Sequence, residues 1–171
     1  METKDALTLR QAVRAYKSDP VADKQLSAVL DAGKIAPVAL GAFDRYQITA
    51  VKNPDLIQTV NDNAKAKFNR EKMLYGAPVY IMVSVTGDLD NAVYSSAATI
   101  VENMILAAFD QGLGACHIWG ATVALAQNKA LCSQLGLNDD QVPVAAMTLG
   151  VPARELEKRS GLDRITTKTL D

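Results

Sequence analysis

Residues 103–120 read NMILAAFDQGLGACHIWG, which predicts a buried helix that turns tightly into a strand. The apolar run begins upstream and covers residues 91–111, and a helix that is apolar on nearly all sides is typical of a domain core. Gly112 follows this run, and glycine commonly ends a helix because it adopts the left-handed conformation without steric cost. The short apolar segment 115–119 then predicts a strand. A core helix joined closely to a strand is therefore the centre of the predicted fold.

Helical and strand patterns flank this centre on both sides, and Gly33 is expected to stop one of the helices. The predicted helices are 8–16, 23–34, 55–70 and 125–135, and the further predicted strands are 46–51, 79–85 and 144–149. These elements do not follow a strict strand–helix–strand alternation, which favours an α+β fold. No repeat or linker interrupts residues 1–171, so we expect a single domain.

The composition is that of an ordinary globular protein without a basic or acidic bias. With 18 basic and 19 acidic side chains, the net charge of −1 favours neither nucleic acid nor an anionic membrane surface. The first residues lack the apolar segment of a signal peptide, and no unbroken apolar stretch reaches the roughly 20 residues of a membrane span. We therefore expect a cytoplasmic protein that binds neither nucleic acid nor a membrane.

Side chains that usually carry metal or nucleophilic chemistry are few. The two cysteines, Cys116 and Cys132, lie in apolar runs without CxxC spacing, which favours reduced core residues over a metal site or a disulfide. The one histidine, His117, has no triad partners at a recognisable spacing. We therefore expect no metal site and no catalytic side chain, so that any chemistry would belong to a bound cofactor.

Arg10 and Arg14 stand four residues apart, so on the predicted first helix they would share one face. Two guanidiniums on one face could bind a single anion, because arginine donates in a planar fork that matches phosphate oxygens. From spacing alone, a pair of solvated surface arginines is the more common case. The spacing therefore indicates a possible phosphate site without establishing it.

Asn69 and Lys72 are three residues apart and would share a face of the predicted helix 55–70 and its continuation. An amide beside a cation suits a ring that carries carbonyl and N–H groups, although an exposed helix face is the more common case. Farther along, residues 112–114 form a lone GxG that lacks the third glycine of a dinucleotide fingerprint. Its expected role is a tight turn that leads to backbone amides near Gly120, and Trp119 beside them is more commonly a core or interface anchor.

Taken together, these segments resemble the nitroreductase family of FMN-dependent oxidoreductases from Leu9 to about Arg159. The opening LRQAVRAY is similar to the family's RRSxRxY signature, whose two arginines bind the flavin phosphate and the ring edge. In this chain those positions are Arg10 and Arg14, and Ala12 replaces the usual serine. The lost hydroxyl contact would cost about 0.5–1.5 kcal/mol of binding free energy.

Three further segments carry the resemblance. NREKMLYGAPV resembles the stretch in which the family places an Asn and a Lys on the flavin pyrimidine, which implies Asn69 and Lys72. The NMILAAFDQGLGACHIWG stretch implies that the backbone at Trp119 and Gly120 lies near the reactive N5 and O4 atoms. LGVP and the basic residues that follow resemble the closing segment, which implies that Lys158 or Arg159 reaches the phosphate.

One loop departs from the family pattern. Where the family often reads APSxxNxQPW, this chain reads APVALGAFDRY at 36–46, so that Val38 replaces the serine and Gly41 the asparagine. In the family this loop reaches a flavin that is held mainly by the partner subunit. The backbone of Pro37, Val38 and Ala39 is still expected to cover the ring, while the altered side chains bear on the choice of substrate.

The resemblance implies a nitroreductase-like fold with a mostly antiparallel sheet flanked by helices around a buried core helix. It further implies a homodimer with flavin sites at the subunit interface, in which hydride passes from NAD(P)H through flavin N5 to a nitroaromatic, quinone or similar small acceptor. Two alternatives stay open at this point. They are a flavin-binding module without enzymatic activity and an interaction protein that keeps the scaffold but not the flavin.

Overall fold

The computed structural model describes residues 1–160 and 165–170. Its centre is a four-stranded antiparallel sheet in the order β1-β2-β4-β3. The strands are β1 (Tyr46–Val51), β2 (Val79–Thr86), β3 (Gly114–His117) and β4 (Gln141–Gly150). Helices surround this sheet, which confirms the predicted α+β class.

Helices cover both faces of the sheet, and the side chains of β2 point alternately to the helices of one face and to those of the other. The helices are α1 (Thr3–Leu9), α2 (Asp23–Lys34), α3 (Pro54–Phe68), α4 (Asn91–Asp110), α5 (Gly120–Leu125) and α6 (Lys129–Gln134). Successive strand side chains point to opposite faces, and in β2 Ile81 and Val83 join the cluster of α2 and α4. Tyr80 and Met82 join the cluster of α3, α5 and α6 on the other face. Both faces of β2 are therefore buried, which explains its continuous apolar run.

Helix α4 is the predicted core helix. Its N-cap is Asp90, whose carboxylate accepts a hydrogen bond from the Val93 N–H at 2.8 Å. After α4 ends, Gly112 adopts a positive φ of 73°, as predicted for the residue that closes this helix. Its length and hydropathy would suit a membrane span, but half of its apolar window is buried within the fold. Its apolar surface is thus explained by packing against α2 and the sheet.

Gly33 does not stop α2; it allows close helix packing. A Cβ at this position would lie 2.8 Å from both Ile48 Cδ1 and Met104 Cγ. A side chain there would force these neighbours apart, since interiors are close-packed. The helix continues to Lys34 as predicted by the 23–34 pattern.

The predicted helix 8–16 is wrong, because the chain leaves α1 after Leu9 and runs along the sheet instead. Val13 N–H donates to the Ala115 carbonyl at 2.9 Å, and Tyr16 pairs with Pro152. The Tyr16 hydroxyl also shares a 2.8 Å hydrogen bond with Thr148. These contacts to distant residues override the helical spacing of the segment.

Other boundaries differ from the predictions, including that of β4, which begins at Gln141 rather than at residue 144. Helix α3 ends at Phe68 because Asn69 adopts the left-handed conformation with φ 51°. The predicted strand 115–119 is shorter at its end, since β3 stops at His117 and α5 begins at Gly120. The predicted helix 125–135 is observed as the short α6, preceded by α5, which the pattern did not indicate.

Candidate functional site

A cavity of about 610 Å³ lies where β3 ends and α5 begins. The turn that follows α3 forms its other side. The lining residues are Phe68, Arg70, Lys72, Met73, Tyr75, His117, Ile118, Trp119 and Gly120. The structure thus brings Lys72, Trp119 and Gly120, which come from separate segments of the sequence, to one cavity.

The turn at 69–76 is held in place by α3. Asn61 on that helix accepts hydrogen bonds through Oδ1 from the backbone N–H groups of Met73 and Leu74, at 2.9 and 3.1 Å. Tyr75 and Gly76 then take positive φ values of 59° and 70°. A left-handed conformation is unfavourable for a bulky residue such as tyrosine, so the surrounding contacts must hold it there. This turn presents Lys72 and Tyr75 to the cavity.

The electrostatic character of the cavity is positive. Arg70 and Lys72 are exposed, and neither forms an ion pair with any residue that the structure describes. No aspartate or glutamate is among the lining residues. Partial burial lowers the pKa of His117, so its imidazole is neutral near pH 7. Such a cavity favours an anion or a ring on which negative charge develops.

Arg14 lies beside the cavity. Its guanidinium carbon is 5.8 Å from the centre of the Tyr75 ring, a distance typical of a cation–π contact. Arg14 also lines a second cavity of about 520 Å³, together with Ala12 and the segment 152–157. The pair formed by Arg14 and Tyr75 therefore joins the two cavities.

Arg10 does not share a helix face with Arg14, which corrects the prediction from their spacing. The segment that contains Arg14 is not helical, and Arg10 forms a two-point ion pair with Glu102 of α4. Its Nε donates to Oε1 at 2.8 Å and its Nη2 donates to Oε2 at 3.0 Å. The charge of Arg10 is thus compensated, whereas Arg14 contacts the uncharged ring of Tyr75.

Lys158 and Arg159 lie against α1. Lys158 pairs with Asp5, and the backbone N–H of Arg159 donates to the Thr8 carbonyl at 2.9 Å. Nη2 of Arg159 donates to the Leu7 carbonyl at 3.1 Å. Among the described residues, the buried Nε of Arg159 has no hydrogen-bond partner. Arg159 is therefore fixed near the end of α1, where Arg10 begins the non-helical segment.

Asn69 is not among the residues that line the cavity, and it does not share a helical face with Lys72, which corrects that prediction. The helix ends before both residues, because Asn69 itself is the left-handed C-cap of α3. Asparagine is one of the few residues besides glycine that tolerates this conformation. Asn69 therefore ends α3. Its exposed side-chain amide is next in sequence to Arg70, which lines the cavity.

Pro37, Val38 and Ala39 line neither of the two cavities. Instead, the Ala39 N–H donates to Ser96 Oγ at 3.0 Å, which ties this loop to α4. The next residue, Leu40, is fully exposed and has a positive φ of 57°. Within one chain, the loop is thus separate from the lining of both cavities.

The sequence patterns missed several lining residues. Arg70 was predicted to end the helix 55–70, but α3 stops at Phe68, and Tyr75 lies in the turn that follows, for which no side-chain direction was predicted. His117 follows the buried Cys116 in β3, and strand alternation places these two side chains on opposite faces of the sheet. The alternation does not indicate that the face of His117 borders a cavity. Trp119 is 71% exposed, so it is not a core residue.

Comparison with known proteins gives a consistent result. A sequence model described as the Nitroreductase family matches residues 39–151. The chain is similar in structure to a nitroreductase with bound FMN from Bacteroides fragilis NCTC 9343, with 24% identity, a TM-score of 0.85 and coverage of 99% of this chain and 100% of that one. A nitroreductase with bound FMN from Desulfitobacterium hafniense DCB-2 shows 20% identity, a TM-score of 0.85 and the same coverage. An FMN-dependent nitroreductase from Clostridium difficile R20291 shows 18% identity and a TM-score of 0.81, with 98% and 99% covered. These likenesses confirm the nitroreductase-like fold.

Proposed function

Because this chain belongs to the nitroreductase family, we propose that residues 1–171 form one domain that binds FMN and acts as an FMN-dependent oxidoreductase. In this proposal hydride passes from NAD(P)H to a nitroaromatic, a quinone or a similar small acceptor. The observation that carries the proposal is the cavity at the end of β3, where Lys72, Trp119 and Gly120 meet beside Arg14. Two relatives of the same fold were crystallised with bound FMN.

The donor groups of the site suit FMN, which joins a flat ring system to a phosphate. The first cavity offers cations and aromatic side chains but no carboxylate. Such a lining stabilises the negative charge that develops on a polar ring when it gains electrons. Arg14 lies between this cavity and the second one, which Glu155 and Glu157 line, so the phosphate is assigned to the arginines at the end of α1 instead. The unpartnered Nε of Arg159, near the end of α1, adds a donor that an anion would satisfy.

Each residue would act by binding or by orienting. When bound, FMN supplies the chemistry, since its N5 accepts and releases hydride. Lys72 and Arg14 would favour negative charge on the pyrimidine side of the ring. The backbone N–H of Gly120 belongs to the first turn of α5, where backbone donors have no partner within the helix. Asn69 would contribute its exposed amide beside them.

The phosphate is assigned to the α1 end of the site in this proposal. Arg10 and Arg159 are both placed there, and the pairing of Arg10 with Glu102 leaves N–H groups that still can donate. Lys158 is nearby but already pairs with Asp5. Arg14, which contacts a residue of the ring cavity, would then serve the junction between ring and phosphate.

We also propose that the active form is a homodimer, and exposed apolar side chains support this. Ile35, Leu40 and Phe43 are 80%, 103% and 56% exposed around the loop that departs from the family pattern, and Tyr94 on α4 is 48% exposed. Large exposed apolar groups that cluster in this way mark interaction surfaces. In the dimer, the loop 36–46 of one subunit would reach the cavity of the other subunit and complete it.

The absorbance spectrum of the purified protein, followed by turnover with NAD(P)H, tests the proposal. Bound flavin with NAD(P)H-dependent reduction of a nitroaromatic or quinone is the expected result. Bound flavin without turnover would support a flavin-binding module, and a colourless protein that ignores added FMN would support an interaction protein. Either result would contradict the proposed oxidoreductase.

A further inference from the structure

Trp119 is the most exposed aromatic side chain of the cavity rim, although tryptophan carries one of the largest apolar surfaces of any residue. Its neighbours are fixed: Ile118 is 4% exposed, and a Cβ on Gly120 would lie 2.8 Å from Met73 Cε. The backbone on both sides is therefore packed, while the indole stays in solvent. The packing of the fold does not require an indole at this position.

The cavity that Trp119 lines is also lined by Arg70. This residue is exposed and forms no ion pair within the described part of the chain. An aromatic face binds a flat ring by stacking, and a guanidinium binds a carboxylate or a nitro group through paired N–H donors. Together they offer the two features by which a planar aromatic molecule with an anionic substituent is recognised.

We infer that Trp119 is the stacking platform for the electron acceptor and that Arg70 selects acceptors with a negatively charged group. The preferred class would be planar nitroaromatic or quinone carboxylates over neutral or non-planar acceptors. This inference rests on the proposed function and names its substrate class. It assigns to both side chains a role in specificity, whereas the ring-binding role proposed above concerns Lys72 and the backbone at Gly120.

The test is calorimetric titration of the purified FMN-loaded protein with 4-nitrobenzoate, 4-nitrobenzamide and cyclohexanecarboxylate. The parent should bind the nitrobenzoate more tightly than both comparison compounds. Trp119→Leu should weaken nitrobenzoate binding about 2- to 12-fold, which is the factor that corresponds to about 0.5–1.5 kcal/mol for an aromatic pair. Trp119→Phe keeps a ring and should restore most of the affinity.

Arg70→Gln should lower the ratio of nitrobenzoate to nitrobenzamide affinity by about 2- to 5-fold, the range of an exposed charge pair. Leu89→Ala removes an exposed apolar side chain that lines neither cavity, and it should leave all three affinities unchanged. Because Trp119 is the only tryptophan of the chain, quenching of its fluorescence by nitrobenzoate gives a second measurement in the parent.

Equal nitrobenzoate affinity in Trp119→Leu and the parent would overturn the stacking role, and an unchanged ratio in Arg70→Gln would overturn the charge selection. A loss in Trp119→Leu that Trp119→Phe does not restore would also contradict the stacking role. Flavin content, measured by absorbance in every variant, separates these results from a failure of the proposed function. A protein that holds no FMN contradicts that function, while the fluorescence titration still decides whether nitrobenzoate contacts Trp119.

Discussion

Replacing Arg14 by alanine should weaken FMN binding while leaving the fold nearly intact. The side chain is exposed and lies 5.8 Å from the centre of the Tyr75 ring, a contact that contributes about 0.5–1 kcal/mol at an exposed site. The free energy of unfolding should therefore fall by no more than about 1 kcal/mol. A hydrogen bond to a charged ligand group is worth about 1.5–3 kcal/mol, so the dissociation constant should rise roughly 10- to 150-fold.

The assay is titration of the flavin-free protein with FMN, followed by flavin fluorescence, alongside urea unfolding of each variant. Arg14→Lys is the matched control: it keeps the charge but loses the planar fork, and its affinity should lie between those of the parent and Arg14→Ala. If Arg14→Ala binds FMN as tightly as the parent, Arg14 does not contact the cofactor. A loss of affinity that parallels an equal loss of stability would assign Arg14 to the fold instead.

Four further substitutions test other parts of the structure. Lys72→Met should keep the fold and most of the FMN. It should lower the reduction potential of the bound flavin and slow its reduction by NAD(P)H, since a cation stabilises the reduced ring. An unchanged reduction potential at matched salt would show that Lys72 does not belong to the site. Asn69→Gly should leave urea stability within about 1 kcal/mol because glycine tolerates the left-handed cap, while FMN affinity falls; unaltered affinity would limit Asn69 to ending α3. Leu40→Asn should keep the local backbone, because asparagine tolerates the positive φ of this position, but it should weaken the homodimer in sedimentation experiments. The same dimer dissociation constant as that of the parent would exclude Leu40 from the interface. Gly33→Ala should cost on the order of 1–2 kcal/mol in thermal unfolding, because overpacking against Ile48 and Met104 exceeds the gain in helix propensity; a variant at least as stable as the parent would contradict the close packing.

Local patterns were sufficient for the elements whose side-chain period matches their burial. Helix α2 occupies the predicted residues 23–34, and β1 the predicted residues 46–51. The core helix α4 was predictable because a run of about 20 apolar and small residues has few stable alternatives outside a core. The same holds for β2, whose two buried faces produce an unbroken apolar run.

The site residues were predicted through a resemblance of motifs, and their arrangement was not. Lys72, Trp119 and Gly120 do line one cavity. The assumed geometry of the pairs was wrong, since Arg10 and Arg14 lie outside a common helix and Asn69 ends the helix on which it was placed with Lys72. Spacing predicts a shared face only where the helix continues, and long-range contacts decide whether it does.

The sequence by itself determined the α+β class and the core helix, because both depend on local periodicity, and its motifs proposed the residues of the candidate site. Only the tertiary structure decided where those residues meet. The hydrogen bond from Val13 to Ala115 and the one between Tyr16 and Thr148 draw the segment after α1 onto the sheet, which sends Arg10 to Glu102 and Arg14 to Tyr75. Each of these partners lies far away along the chain, and no pattern within a few residues of Arg14 carries information about them. The burial of Val13 and the satisfaction of backbone donors on the sheet outweigh the weak local preference for helix.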